Sequence, residues 1–171
     1  MKSMHCIALT SALIAGCASM AGDGPSASAV LEATKGNSAN GTVKFVTKGS
    51  RVLMTARISG LAPGSHGFHI HEKGDCSSGD GISAGGHFNP GGQPHAHPST
   101  TARHVGDMSM LVADSSGVAT LTAELDLMAI GSGSNDIVGK AVIVHKDADD
   151  FKTQPTGNSG ARLACGVIKG A

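Results

Sequence analysis

The stretch Arg51-Val52-Leu53-Met54-Thr55-Ala56-Arg57-Ile58-Ser59 decides the fold class. Val52, Met54, Ala56 and Ile58 fall on one face of an extended chain, and Leu53, Thr55 and Arg57 on the other, because successive side chains of a strand point to opposite sides. A period of two with one apolar face predicts a β-strand laid on a core. Working outward, Lys48-Gly49-Ser50 turns the chain into this strand from another at 42–47. Asn40-Gly41 reads as a hairpin turn, since both residue types accept positive φ. Gly36-Asn37 punctuates the chain after a first strand at 28–34. Downstream, strands are predicted at 66–71, 108–113, 118–125, 141–145 and 163–168, with Asp114-Ser115-Ser116-Gly117 as one of the turns. Eight short strands separated by polar turns predict an all-β sandwich or barrel.

Composition agrees with that class. The 171 residues make one domain once the ends are discounted, and 25 glycines suit a turn-rich chain. Thirteen Lys plus Arg balance thirteen Asp plus Glu, and Trp and Tyr are absent, so the chain has neither the charge nor the stacking surface for nucleic acid. With aromatics at 2%, the core must come from Val, Leu, Ile, Ala and Met, helped by Phe45, Phe68, Phe88 and Phe151. Met54, Met108 and Met110 sit at strand spacing and read as core filler. Nine histidines against four phenylalanines is the first sign of a metal.

The amino terminus reads as an address. Lys2 and a short apolar run through Ala15, too short to span a bilayer as a helix, end in Ile14-Ala15-Gly16-Cys17. This resembles a bacterial lipoprotein signal. The implied organisation is a signal peptide over 1–16, a lipidated Cys17 with a flexible tether over 17–27, and the folded domain over 28–171. The expected location is the periplasm, with the lipid anchor as the only membrane attachment; Ala18 after Cys17 points to the outer membrane. Cys6 then leaves with the signal and Cys17 takes lipid, so Cys76 and Cys165 are left to form one bridge in an oxidising compartment. Closing so long a loop is worth roughly 4–5 kcal/mol in the chain-entropy picture.

From Glu72 to Asp107 the sequence has no strand or helix period, and a structureless loop of this length needs something to order it. Its His, Asp and Cys content points to a metal and a disulfide. His69-Ile70-His71 lies in an apolar strand, where residues i and i+2 face the same way and can reach one ion. His87, His95, His104 and Asp107 follow in the loop, and His145 ends the apolar run 141–145. Neutral imidazoles favour copper and zinc, and three histidines with one aspartate suit tetrahedral zinc. His66 reads as a hydrogen-bonded structural residue, and His97 as an exposed neighbour of His95.

Gly67-Phe68-His69-Ile70-His71-Glu72, Gly86-His87-Phe88-Asn89-Pro90, Arg103-His104-Val105-Gly106-Asp107, Val144-His145 through Asp149-Asp150, and Gly157-Asn158 through Arg162-Leu163-Ala164-Cys165-Gly166 together resemble the copper–zinc superoxide dismutases. The likeness runs from about Ser28 to the C-terminus. It implies an eight-stranded Greek-key β-barrel with long metal-binding and electrostatic loops. It implies copper on His69, His71 and His145, an imidazolate of His87 shared between copper and zinc, and zinc completed by His95, His104 and Asp107. Asp149 would accept a hydrogen bond from a ligand on each side. Arg162 would stand beside the open copper position and receive the superoxide anion. A homodimer is allowed but not specified. The segment between His145 and Arg162 is shorter than in many members, with Pro155 where they carry a guiding lysine and Lys152 as its substitute. The competing reading is a non-catalytic periplasmic copper- and zinc-binding protein on the same fold.

Overall fold

The computed structural model describes residues 24–171. The expected signal peptide, Cys6, Cys17 and the first part of the tether lie outside the described residues. Ten strands follow in order: β1 Ser26–Ala33, β2 Asn40–Lys48, β3 Arg51–Ser59, β4 Gly64–His66, β5 Phe68–His71, β6 Leu111–Ala113, β7 Ala119–Leu125, β8 Ala141–His145, β9 Arg162–Val167 and β10 Lys169–Gly170. The only helical element among the described residues is a 3₁₀ turn at Ile82–Ala84.

Eight strands form one antiparallel sheet in the order β5-β8-β9-β1-β2-β3-β7, with β10 also paired to β1. β4 and β6 form a separate two-stranded antiparallel ladder. β4 leads into β5 across Gly67, and β6 reaches β7 through the Asp114 turn, where the Gly117 amide donates to the Asp114 carbonyl at 3.0 Å. The curled sheet is the Greek-key barrel expected, and its interior is the core. In β3 the alternation holds: Val52, Met54, Ala56 and Ile58 are all buried. Phe45, Phe68, Leu31, Ile70, Leu111 and Met108 fill the same interior. Met54 and Met108 are core filler, and Met110 is half-buried.

Beyond shifts of a residue or two at strand ends, four differences from the sequence reading have a structural cause. Asn40-Gly41 is not a turn: both residues sit in β2, with Gly41 paired to Leu31 on one side and Ile58 on the other. Gly41 is needed for close strand approach, since a Cβ there would lie 2.1 Å from the Arg57 carbonyl oxygen. The positive φ belongs to Gly36 instead, at 82°. The predicted strand 66–71 is broken at Gly67, whose N–H donates to the Asp147 carbonyl and whose carbonyl accepts from His145 N–H, each at 2.8 Å. The strand expected from residue 108 starts only at Leu111, because the chain just before it is held to β5, with Ile70 N–H donating to the Gly106 carbonyl at 3.0 Å. Finally, β1 begins at Ser26, ahead of 28, with Ala27 buried and Gly24 N–H donating to the Thr47 carbonyl at 3.0 Å. The end of the expected tether is therefore part of the barrel.

Candidate metal centre

β5 and β8 are antiparallel neighbours with every residue buried, and they supply the first three imidazoles, His69, His71 and His145. Between Val144 and His145 the β8–β9 register shifts, so that His145 stands opposite Arg162. A bulge of this kind bends a strand and re-aims its side chains. The loop after β5 returns to pair His87 with His71 and Asp107 with His69 as isolated bridges. Donor atoms of His69, His71, His87 and His145 then lie within 4.8 Å of one another, and so do those of His87, His95, His104 and Asp107. His87 belongs to both groups.

Each ring nitrogen has an identifiable task. His69 donates from Nε2 to Asp149 Oδ2 at 2.6 Å, which leaves its Nδ1 buried without a partner. His71 donates from Nδ1 to the Gly85 carbonyl at 2.9 Å, leaving Nε2 at 3.3 Å from Nε2 of His145. His87 places Nδ1 at 3.0 Å from Asp107 Oδ1, while its Nε2 is buried without a partner among the strand-borne rings. Orphaned buried nitrogens are rare and call for an explanation. Here a soft-to-borderline cation among four neutral imidazoles supplies one.

In the second group, Asp107 Oδ2 accepts the N–H groups of Ala96 and His104, each at 3.1 Å. Its Oδ1 faces Nδ1 of His87, His95 and His104 at 3.0, 2.9 and 3.3 Å. Backbone donors thus fix one oxygen and turn the other to three imidazoles, a donor set that fits tetrahedral zinc. Asp149 joins the two groups. Its Oδ2 takes the bond from His69, and its Oδ1 accepts from His95 Nε2 at 2.9 Å and from the Phe151 amide at 2.7 Å. Partners of this kind fix the orientation of metal-binding histidines.

Electrostatics separate the groups. Burial pushes His145 down to about 3 and His87 down to about 4, and it holds His71 well below the ordinary imidazole value. Those rings are neutral at physiological pH, the form in which an imidazole can bind a metal. Burial opposes a charge on His95 too, but hydrogen bonds to Asp107 and Asp149 outweigh it and raise His95 to about 9. Burial likewise works against ionisation of Asp107 and Asp149, yet their histidine partners hold both carboxyls well below the usual range.

Arg162 is half-buried beside the strand-borne group. Its Nη1 donates to the Gly81 carbonyl and its Nη2 to the Gly85 carbonyl, both at 2.7 Å. The Gly85 oxygen also accepts from His71, so one carbonyl links the guanidinium to a ring of the strand-borne cluster. Cys76 and Cys165, 89 residues apart, form the expected disulfide, with Cα atoms 5.8 Å apart. It ties this loop to β9, which carries Arg162. His66 is structural as expected, with its ring nitrogens 2.9 Å from the carbonyls of Ala62 and His145. His97 is exposed, with Nδ1 2.8 Å from Ser99 Oγ. Lys152 and Pro155 are exposed on the loop between β8 and β9.

Two contributors have no role legible in the sequence, although Gly157 lies in the Gly157-Asn158 motif. Gln154 grips the His95 backbone, its Oε1 accepting from the His95 N–H and its Nε2 donating to the His95 carbonyl, each at 2.8 Å. Gly157, at a φ of 66°, leaves room for the Asp149–His95 bond, since a Cβ would fall 1.8 Å from Asp149 Oδ1 and 2.6 Å from His95 Nε2.

An all-β barrel carrying two buried clusters joined through one histidine and one second carboxylate defines a two-metal protein of the copper and zinc type. The copper/zinc superoxide dismutase family model matches residues 39–168, and the chain belongs to that family. It is 43% identical over 134 residues to an extracellular Cu–Zn superoxide dismutase of Caenorhabditis elegans, covering 75% of this chain and 60% of that protein. It is 42% identical to Cu–Zn superoxide dismutase 2 of Brassica juncea, over 82% of this chain and 94% of the relative. An extracellular Cu–Zn superoxide dismutase of Haemonchus contortus is 40% identical, over 81% of this chain and 80% of that one. Among solved structures, that of the clock protein EA4 superposes with a TM-score of 0.77 at 40% identity, over 84% of this chain and 93% of that one.

Proposed function

We propose that this protein is a copper–zinc superoxide dismutase, an oxidoreductase that converts two superoxide anions and two protons into oxygen and hydrogen peroxide. The observation that carries the reading is the His87 ring, which turns Nδ1 to the Asp107 cluster and an unpartnered Nε2 to the strand-borne cluster. His69 Nδ1, His71 Nε2, His145 Nε2 and His87 Nε2 would hold copper. His87 Nδ1, His95, His104 and Asp107 would hold zinc. Copper, when bound, supplies an electron carrier that alternates between two oxidation states, which zinc cannot do.

The chain's own groups do the rest. Two carbonyls fix the Arg162 guanidinium, which offers a charge-assisted hydrogen-bond site for a small anion next to His71 and His145. While free of copper, His87 Nε2 would take up one proton from solvent and pass it on in the second half of the reaction, where the other proton of the peroxide comes from water. Asp149 keeps His69 and His95 in the orientation both metals need. A copper- and zinc-storing protein would have no use for a pinned Arg162 or a shared ring.

The reading includes an exported protein. A signal peptide over 1–16, a lipidated Cys17 and a location in the periplasm, on the outer membrane, follow from the N-terminal pattern. The Cys76–Cys165 bridge supports export, since such bonds persist in oxidising compartments. So do the relatives named as extracellular enzymes. The test is superoxide dismutation by purified protein loaded with both metals, against the same protein loaded with zinc alone. Activity confined to the copper-containing sample is expected. A fully loaded sample that leaves superoxide untouched would contradict the proposal.

A further inference from the structure

The loop after β8 is short, and much of its bonding is internal. Asp150 Oδ1 accepts from the amides of Lys152 and Thr153 at 2.9 and 2.8 Å, and Asp150 Oδ2 accepts from the Thr153 hydroxyl at 2.6 Å. The Gly157 amide donates to the Thr153 carbonyl at 2.7 Å, and the Asp150 amide to the Gly157 carbonyl at 2.9 Å. From this preformed turn two side chains reach His95, which lies in the other long loop. Asp149 holds the ring and Gln154 holds the backbone.

We propose that Gln154 is a positioning residue for the zinc-side cluster, acting as a two-point clamp on the main chain of His95. The proposal rests on the reading that His95 binds zinc. Three features support it. The amide bonds reciprocally, donor to acceptor and acceptor to donor, so it fixes both the position and the plane of the His95 peptide units. His95 is flanked by Pro94, Ala96 and His97 with no strand or helix assigned to it, so its backbone has no ladder to hold it. Its ring is held at Nδ1 by Asp107 and at Nε2 by Asp149, and a ring so constrained binds an ion only if its Cα is fixed as well. The zinc side therefore depends on a loop distant in sequence, whereas the copper side is held by the sheet.

The experiment uses full-length metal-loaded protein and its Gln154→Ala and Gln154→Glu variants. Zinc release into a chromogenic chelator gives the rate. Cobalt placed in the zinc cluster gives a visible spectrum that reads ligand geometry independently of activity. Partners outside the ligand shell change metal affinity by roughly 10–100-fold, so Gln154→Ala should release zinc about tenfold faster and alter the cobalt bands. Gln154→Glu keeps the acceptor for the His95 N–H but loses the donor, and should fall between Ala and wild type. Amide exchange in β2 and β3 should not change. Release within twofold of wild type with an unchanged cobalt spectrum in both variants would overturn the proposal. So would exchange that rises equally across the barrel, which would make Gln154 a general stabiliser. A separate His95→Ala variant tests the underlying reading: if it leaves zinc release unchanged, His95 is not a ligand and the clamp falls with it.

Discussion

The two clusters share a ring but are built by different means. On the side proposed to hold copper, His69, His71 and His145 come from β5 and β8, and cross-strand pairing sets their spacing. On the zinc side, His95, His104 and Asp107 come from a loop without regular structure, ordered by backbone donors to Asp107 and by side chains of a second loop. The strand-built cluster is electrically quiet before metal arrives, with its imidazoles neutral. The loop-built cluster is charged, with His95 protonated between two carboxylates. A rigid frame can hold three neutral rings close together and present them to a fourth from the loop. The loop relies on ion pairs, and those made by Asp107 must give way to the metal, while the Asp149 pair stays to orient His95.

The largest expected effect comes from breaking what the halves share. His87→Ala should cost far more than the roughly 10–100-fold that loss of a ligand's outer partner costs, abolishing dismutation and lowering the content of both metals by elemental analysis. Loss of one metal alone would show that the halves are independent.

Arg162→Ala addresses the copper side only. A hydrogen bond to a charged group contributes about 1.5–3 kcal/mol, so turnover should fall roughly 10–100-fold while both metals are retained. Full activity would remove Arg162 from the mechanism.

Metal-free protein should show the electrical difference directly. His87 and His145 stay neutral down to about 4 and about 3, while the same groups in the unfolded chain take up protons below about 6.5. The unfolded state then binds more protons, so stability falls as pH drops from about 6.5 towards 4. His95 works the other way. Its folded value of about 9 means that the stability it lends is complete below about 6.5 and is lost as pH rises through 9. Urea midpoints of metal-free protein should therefore peak near neutrality and fall on both sides, by about 3 kcal/mol on the alkaline side where His95 alone acts, and by roughly twice that on the acid side where His87 and His145 both act. Metal loading should flatten the curve, because the ions take the place of the protons. A metal-free curve that is already flat would contradict the contrast.

The smallest effect is expected at Lys152, which is exposed. Lys152→Ala should slow superoxide capture about twofold and reduce its dependence on ionic strength; identical rates across salt would reject a guiding role.

The same contrast explains what could be read from the sequence. The β3 alternation and the His69–His71 pair are legible because strand geometry has a fixed period, and every ligand candidate falls within one of the two clusters. The break at Gly67 and the late start of β6 are not legible, since both result from bonds to distant loops rather than from local preference. Asn40-Gly41 misleads because its glycine serves close strand approach and not a turn. Gln154 is invisible for the same reason: an amide in a polar loop carries no mark of a partner 59 residues away.

The most direct test of the shared-ring arrangement is a crystal of fully loaded protein measured with anomalous scattering at the copper and zinc absorption edges. The account predicts a copper peak at Nε2 of His87 among His69, His71 and His145, and a zinc peak at Nδ1 of the same ring beside Asp107. Either peak standing away from that ring, or one metal occupying both positions, would contradict it.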